Sequence, residues 1–179
     1  IAQRLCREYN VKPAFQGYHG FPFALCASVN NEVVHGFPSA KRILEEGDIV
    51  SFDMGVIYEG FYGDAARTLA VGKISPEAQR LIDVTYESLM QGIAQAKSGG
   101  LLYDISAAVQ RHAEGAGFGV VKRFVGHGVG RALHEKPEVP NFVVPGLVGP
   151  ELIPGMVLAI EPMVTMGRPD VDILVDNWT

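Results

Sequence analysis

Apolar and polar positions alternate from Asp48 to Tyr58, with Val50, Phe52, Met54 and Val56 at a period of two. That is the period of a strand. Glu59-Gly60 reads as a tight turn and Phe61 to Val71 as the returning arm, so the segment predicts a hairpin. The alternation turns Asp53 to the face opposite Phe52 and Met54. Ser75-Pro76-Glu77 then supplies a cap, a first-turn proline and an acidic first turn, the start of a helix. Ile82, Tyr86, Leu89, Ile93 and Ala96 form its expected apolar stripe, and Gly99-Gly100 stops it. A second helix is predicted from Tyr103 to Ala116, with Ile105, Ala108, Val109 and His112 on one stripe. Ile1 to Tyr9 reads as the end of a helix, and Pro13 to Pro38 as turns and short strands. Within it, the β-rich run from Leu25 to Val29 leads through Asn30-Asn31 to Glu32-Val33-Val34. Past Val120 the pattern returns to short strands and Gly/Pro-rich turns, and Pro154 to Met163 reads as a buried strand. Hairpin, two helices, then strands again predict an α+β fold over a single domain, 1–179, rather than an alternating parallel one.

Composition narrows the class. The chain has 179 residues, 47% of them hydrophobic and 20% charged, which suits a folded domain and argues against disorder. Its net charge of −5 argues against a nucleic-acid-binding domain, whose footprint is basic. No apolar run approaches the ~20 residues of a membrane helix. Two cysteines, Cys6 and Cys26, cannot make a disulfide framework and fit reduced thiols in a cytoplasmic protein. The first residues lack the apolar core and cleavage site of a signal peptide.

Three features can carry chemistry. Asp53 and Asp64 stand on the two arms of the hairpin, and a two-residue turn sets Asp64 opposite Gly55. The aspartates become diagonal neighbours on one face, within reach of a shared partner. Close carboxylates repel, so a cation between them is expected; a surface pair or an Asp64–Arg67 ion pair are the alternatives. In Gly126-His127-Gly128-Val129-Gly130-Arg131-Ala132-Leu133-His134-Glu135, two histidines stand seven apart with glycines around the first. The run lacks the spacing and following helix of a phosphate-binding loop. Glu161 ends an apolar run, and a buried carboxylate there needs a partner, either a ligand or an arginine such as Arg131 or Arg168. Asp, Asp, His and Glu make an oxygen-rich set suited to Mn, Fe, Co or Zn, and not a thiolate zinc site.

The combined motifs resemble type I methionine aminopeptidase, of the pita-bread fold shared with aminopeptidase P, prolidase and creatinase. They are Gly17-Tyr18-x-Gly20-Phe21-Pro22, Cys26-x-Ser28-Val29-Asn30-x-x-Val33-x-His35-Gly36, Gly47-Asp48-Ile49-Val50-x-x-Asp53, Gly60-Phe61-x-Gly63-Asp64, the Gly126 to Asn141 run and Ile160-Glu161-Pro162-Met163. The resemblance implies two divalent metal ions, with Asp53 chelating one, Asp64 bridging both, and His127 and Glu161 as further ligands. It implies His35 and His134 as catalytic groups that hydrogen-bond the scissile amide and its developing charge. Phe15, Tyr18, Phe21, Cys26, Leu133 and Trp178 match positions lining the methionine pocket, where sulfur–aromatic contacts favour a thioether. The implied reaction is hydrolysis of the first peptide bond of nascent chains, in the cytoplasm, a role for which ribosome contact is useful.

The family carries one more ligand, a bridging glutamate on a strand after an Asp-x-Trp-Thr segment. Here Asp176-Asn177-Trp178-Thr179 closes the sequence and no glutamate follows Glu161. The fold is therefore expected to be incomplete at that strand and short at its N-terminal end, with weaker metal binding and an unpaired sheet edge. The rival readings are an Xaa-Pro peptidase of the same fold and a non-catalytic binding module.

Overall fold

The computed structural model describes all residues, Ile1–Thr179. Tertiary contacts divide the chain into two compact units. The first comprises Ile1–Pro76, Val129–Leu133 and Ile173–Thr179; the second comprises Glu77–Gly128 and His134–Asp172.

The first unit opens with helix α1 (Ala2–Glu8) and strand β1 (Lys12–Pro13), followed by β2 (Cys26–Val29), β3 (Ile49–Tyr58) and β4 (Phe61–Ala70). The predicted hairpin is present, and its register is the expected one: Gly55 faces Asp64 and Asp53 faces Ala66. Glu59 and Gly60 have φ of 49° and 81°. Two positive φ values in a two-residue loop match the right-handed twist of the arms, and that fixes the register. β4 lines one edge of β3, while β2 and β1 pair with its other edge at Val50–Asp53 and Val56–Ile57.

The apolar face of β3 is covered unevenly: Val50 is buried and Met54 and Val56 are half-buried. Phe52 is 36% and Leu69 45% exposed, and Ala65 and Ala66 are also exposed. The opposite face carries Gly55, where an added Cβ would lie 2.6 Å from Phe15 Cε1. Packing of Ala14 and Phe15 over Gly55 covers that face too, and the hairpin's own pattern does not encode that contact. Glu32-Val33-Val34 forms no strand. Instead the Glu32 carboxylate accepts a hydrogen bond from Val29 N at 2.8 Å, closing the turn.

The second unit holds α2 (Pro76–Ile93, whose first residue the contacts assign to the first unit), α3 (Leu102–Gly115), β5 (Gly119–Val120), β6 (Gly126–Gly128), β7 (Glu135–Val139), β8 (Leu158–Ala159) and β9 (Val164–Thr165). α2 starts at Pro76, as Ser75-Pro76-Glu77 predicts, and α3 starts at Leu102, one residue before the expected Tyr103, where Asp104 Oδ2 accepts from Leu101 N. α3 buries Ile105, Ala108 and Val109 as expected, while His112 is half-buried and pairs with Glu87 of α2 at 3.0 Å.

The α2 stripe is corrected. The buried residues are Ala78, Val84, Ser88 and Gly92, while Tyr86 is 62% and Ile93 44% exposed. A Cβ on Gly92 would lie 2.8 Å from Val109 Cγ2. α2 thus turns its small residues to α3, and backbone proximity outweighs the larger side chains on the other face.

β6 is the centre strand of a three-stranded sheet, between β7 and β8. An added Cβ at Gly126 would lie 2.2 Å from Ala159 O, so only glycine admits the neighbouring backbone. The buried strand expected over Pro154–Met163 reduces to Leu158–Ala159, both half-buried, with Val157 61% exposed. Pro154 and Pro162 limit its ladder from either side, since proline has no N–H to donate. No helix is long and apolar enough to cross a membrane.

Candidate metal centre and substrate pocket

In the first unit, the hairpin register brings Asp53 and Asp64 to one face, both half-buried. Their charge is felt at Cys26, which faces Asp53 across the β2–β3 ladder. Burial, and then the negative charges of Asp53 and Asp64, push the Cys26 thiol up to about 12. Cys26 therefore stays a neutral, apolar pocket wall and supplies no thiolate, while the aspartates leave an accumulation of negative charge beside it.

All six expected pocket residues meet. Phe15, Phe21, Cys26 and Leu133 form a buried cluster with Ala14, and Tyr18 and Trp178 pack against it. Phe21 and Trp178 meet edge-to-face at 5.0 Å between ring centroids. Phe37 also joins, edge-to-face with Phe21 at 5.5 Å, and Phe23, Ile57 and Tyr62 complete the wall. Phe37 was open to recognition from its place directly after His35-Gly36. His35 packs against Trp178 at 6.1 Å. Its φ of 58° is a left-handed backbone beside Gly36, which is tied to β2 twice: Ala27 N donates to Gly36 O, and Gly36 N donates to Ser28 Oγ. Such strain in a non-glycine residue collects at functional positions.

In the second unit, His127 is 6% exposed on β6. Its Nδ1 lies 2.9 Å from Gly128 O. A carbonyl only accepts, so Nδ1 carries the proton and donates it. The Nε2 lone pair then faces Glu161 Oε1 at 3.2 Å. Two acceptors this close repel unless a proton or a metal cation lies near both. A histidine that donates one N–H to a carbonyl and presents the other nitrogen beside a carboxylate has the tautomer of a metal ligand. Glu161 thus meets His127 rather than Arg131 or Arg168.

His134 is exposed, and its ring stands edge-on to that of His127 with centroids 4.2 Å apart. A cavity of about 350 Å³ opens on His127, His134, Glu135, Lys136 and Glu138. Asn141, 1% exposed, donates from Nδ2 to Glu161 O at 2.7 Å and leaves its own Oδ1 without a partner. It fixes the backbone that carries Glu161. Sequence reasoning gave Asn141 no role; its only signal was an amide directly after Val139-Pro140.

The donors fit a divalent metal on their own chemistry. Asp64, His127 and Glu161 offer one oxygen, one nitrogen and one oxygen ligand atom. With Asp53 the set is carboxylate-rich and free of sulfur, which suits hard to borderline ions.

The chain belongs to metallopeptidase family M24, whose model matches residues 1–175. Divalent metal ions are accordingly its cofactor. It is 54% identical over all 179 residues to methionine aminopeptidase of Clostridium perfringens, of which it covers 71%. It also matches a crystal structure of methionine aminopeptidase from Thermotoga maritima, at TM-score 0.95 and 47% identity, over 98% of this chain and 70% of that one. The likeness to a prolidase from Pyrococcus furiosus is lower: TM-score 0.66 and 26% identity, over 78% of this chain and 41% of that one. These neighbours establish the pita-bread fold and bear out the expected fold class.

Proposed function

We propose that the protein is a methionyl aminopeptidase that removes the N-terminal methionine from peptides and nascent proteins by hydrolysing the first peptide bond. The observation that carries this reading is the aromatic-walled cluster of Phe15, Phe21, Cys26, Leu133, Tyr18 and Trp178, a receptor of the right chemistry for a thioether side chain. The high identity to methionine aminopeptidases along the whole chain supports it, and the weaker likeness to prolidases weighs against the Xaa-Pro alternative.

In this reading Asp53, Asp64, His127 and Glu161 hold two divalent ions, with Co, Mn, Fe and Zn all compatible with the donors. When bound, the metal lowers the pKa of a water toward ~7 and polarises the carbonyl it faces. The chain's own residues do the rest. The apolar slot seats the methionine side chain and excludes water from it. His134 donates a hydrogen bond to the oxygen where charge develops. His35 holds the amide nitrogen in line, and the positioning itself lowers the barrier. Residues 1–179 act as one catalytic domain, on peptides emerging in the cytoplasm, with ribosome contact as the delivery route.

Mass-spectrometric detection of methionine release from Met-Ala-Ser, with added Mn or Co and a chelator control, tests the reading. The expected result is chelator-sensitive release and no cleavage of Ala-Pro. Cleavage of Ala-Pro in preference would establish the prolidase-like alternative. A protein that binds no divalent ion at saturation would be a binding module.

A further inference from the structure

Between Gly128 and His134 the segment Val129–Leu133 joins the first unit. It packs on the tip of the β3–β4 hairpin through two contacts. Tyr62 N, near the start of β4, donates to Gly130 O at 2.8 Å. One residue later, the Arg131 guanidinium stands over the Phe61 ring, 4.3 Å from its centroid. A Cβ on Gly60 would lie 3.6 Å from Arg131 Nη1, so the turn glycine leaves the guanidinium its place. Gly130 N also donates to Ala132 O at 3.2 Å, which tightens the segment on itself. Two residues beyond Arg131 comes Leu133, 3% exposed, in the cluster with Phe21 and Cys26.

From this geometry we infer that Arg131, stacked on Phe61, is a positioning residue for the substrate pocket: it pins the Val129–Leu133 segment to the hairpin and so sets how tightly Leu133 closes the methionine slot. Phe61 is 50% exposed and Arg131 exposed, so neither side chain is needed to fill the core. A guanidinium over an aromatic face is attractive through the ring quadrupole, and it holds a surface segment without burying a charge. Arginine suits the position because its planar head stacks, whereas a lysine offers only a point charge. The inference deepens the aminopeptidase reading and rests on it only for the identity of the slot's occupant.

The test uses the whole chain with Arg131→Ala, Arg131→Lys, Phe61→Leu and the Arg131→Ala/Phe61→Leu pair. Two readouts are taken: the rate at which hydroxyl radicals label the neutral Cys26 thiol, which follows its solvent access, assigned by peptide mass mapping, and KM and kcat on Met-Ala-Ser. Loss of an exposed cation–π contact predicts Cys26 labelling about two- to fivefold faster in Arg131→Ala and Phe61→Leu. KM is expected to rise by the same factor while kcat holds. Arg131→Lys should restore part of both, and the double variant should be no worse than either single, because the two side chains form one contact. Unchanged labelling in every variant overturns the inference, as does faster labelling with an unchanged KM. A wild-type chain that releases no methionine, yet shows the expected labelling series, counts against the aminopeptidase reading and leaves the pin in place.

Discussion

The two units carry different kinds of candidate ligand on different kinds of scaffold. The first unit presents Asp53 and Asp64 on a regular hairpin and holds the buried aromatic cluster of Phe15, Phe21, Cys26 and Leu133. The second presents His127 and Glu161 on short, irregular strands beside an open cavity edged by charged side chains. Long strands with a tight turn hold their side chains by ladder register alone. Two- and three-residue strands cannot, so the second unit uses backbone proximity at Gly126 and the Asn141–Glu161 bond instead. A carboxylate pair tolerates a simple scaffold because charge acts at a distance. An imidazole must present one particular nitrogen, and that requires a partner for the other.

The largest effects are expected from removing one candidate donor in each unit. Asp64→Asn and His127→Ala should each lower chelator-sensitive methionine release by about a thousandfold, and calorimetry should show weakened metal binding in both. Normal metal binding in His127→Ala would mean that the carboxylates suffice. The next effect is on packing. Phe21→Ala in the first unit should lower stability by about 3–5 kcal/mol in urea unfolding, because it opens a cavity in the aromatic cluster. Gly55→Ala should cost about 1–3 kcal/mol, because its Cβ meets the Phe15 ring. Gly63→Ala, whose Cβ would be 3.8 Å from Val56 Cγ2, is the control on the same hairpin and should be near neutral.

Asn141→Ala probes the second unit more gently. It leaves the donor atoms in place but frees the Glu161 carbonyl, and metal affinity should fall about tenfold. The smallest effect is a pH dependence confined to the first unit. Hydrogen bonds from Glu45 N and Asn30 Nδ2 hold the Asp48 carboxyl below its ordinary value. A depressed carboxyl adds stability above its unfolded pKa of 3.8 and loses it as pH falls through the lower folded value. Asp48→Asn should flatten acid unfolding below that point. An unchanged acid limb would show that those hydrogen bonds carry no stability. Cys26 has the opposite sign: its raised thiol pKa gives stability that is full below 9.0 and is lost as pH climbs toward about 12.

Hairpin, turn and register follow from local sequence, because Glu59-Gly60 adopts the two positive φ values that the turn needs. That local sequence therefore placed Asp53 and Asp64 on one face before any fold was known. The start of α2 was legible for the same reason, because the Ser75-Pro76-Glu77 signal is local. That Phe15, Tyr18, Phe21, Cys26, Leu133 and Trp178 cluster was legible only through resemblance. They run from Phe15 to Trp178, and no local pattern joins them. Long-range packing covers the Gly55 face of the hairpin, through Phe15, and selects the buried face of α2, through Gly92 against Val109. It alone brought Glu161 to His127 and gave Asn141 its task. The physical reason is common to all of these. Periodicity records which side chains are apolar, whereas close packing is decided by where a backbone can come near, and that depends on residues far away in the chain.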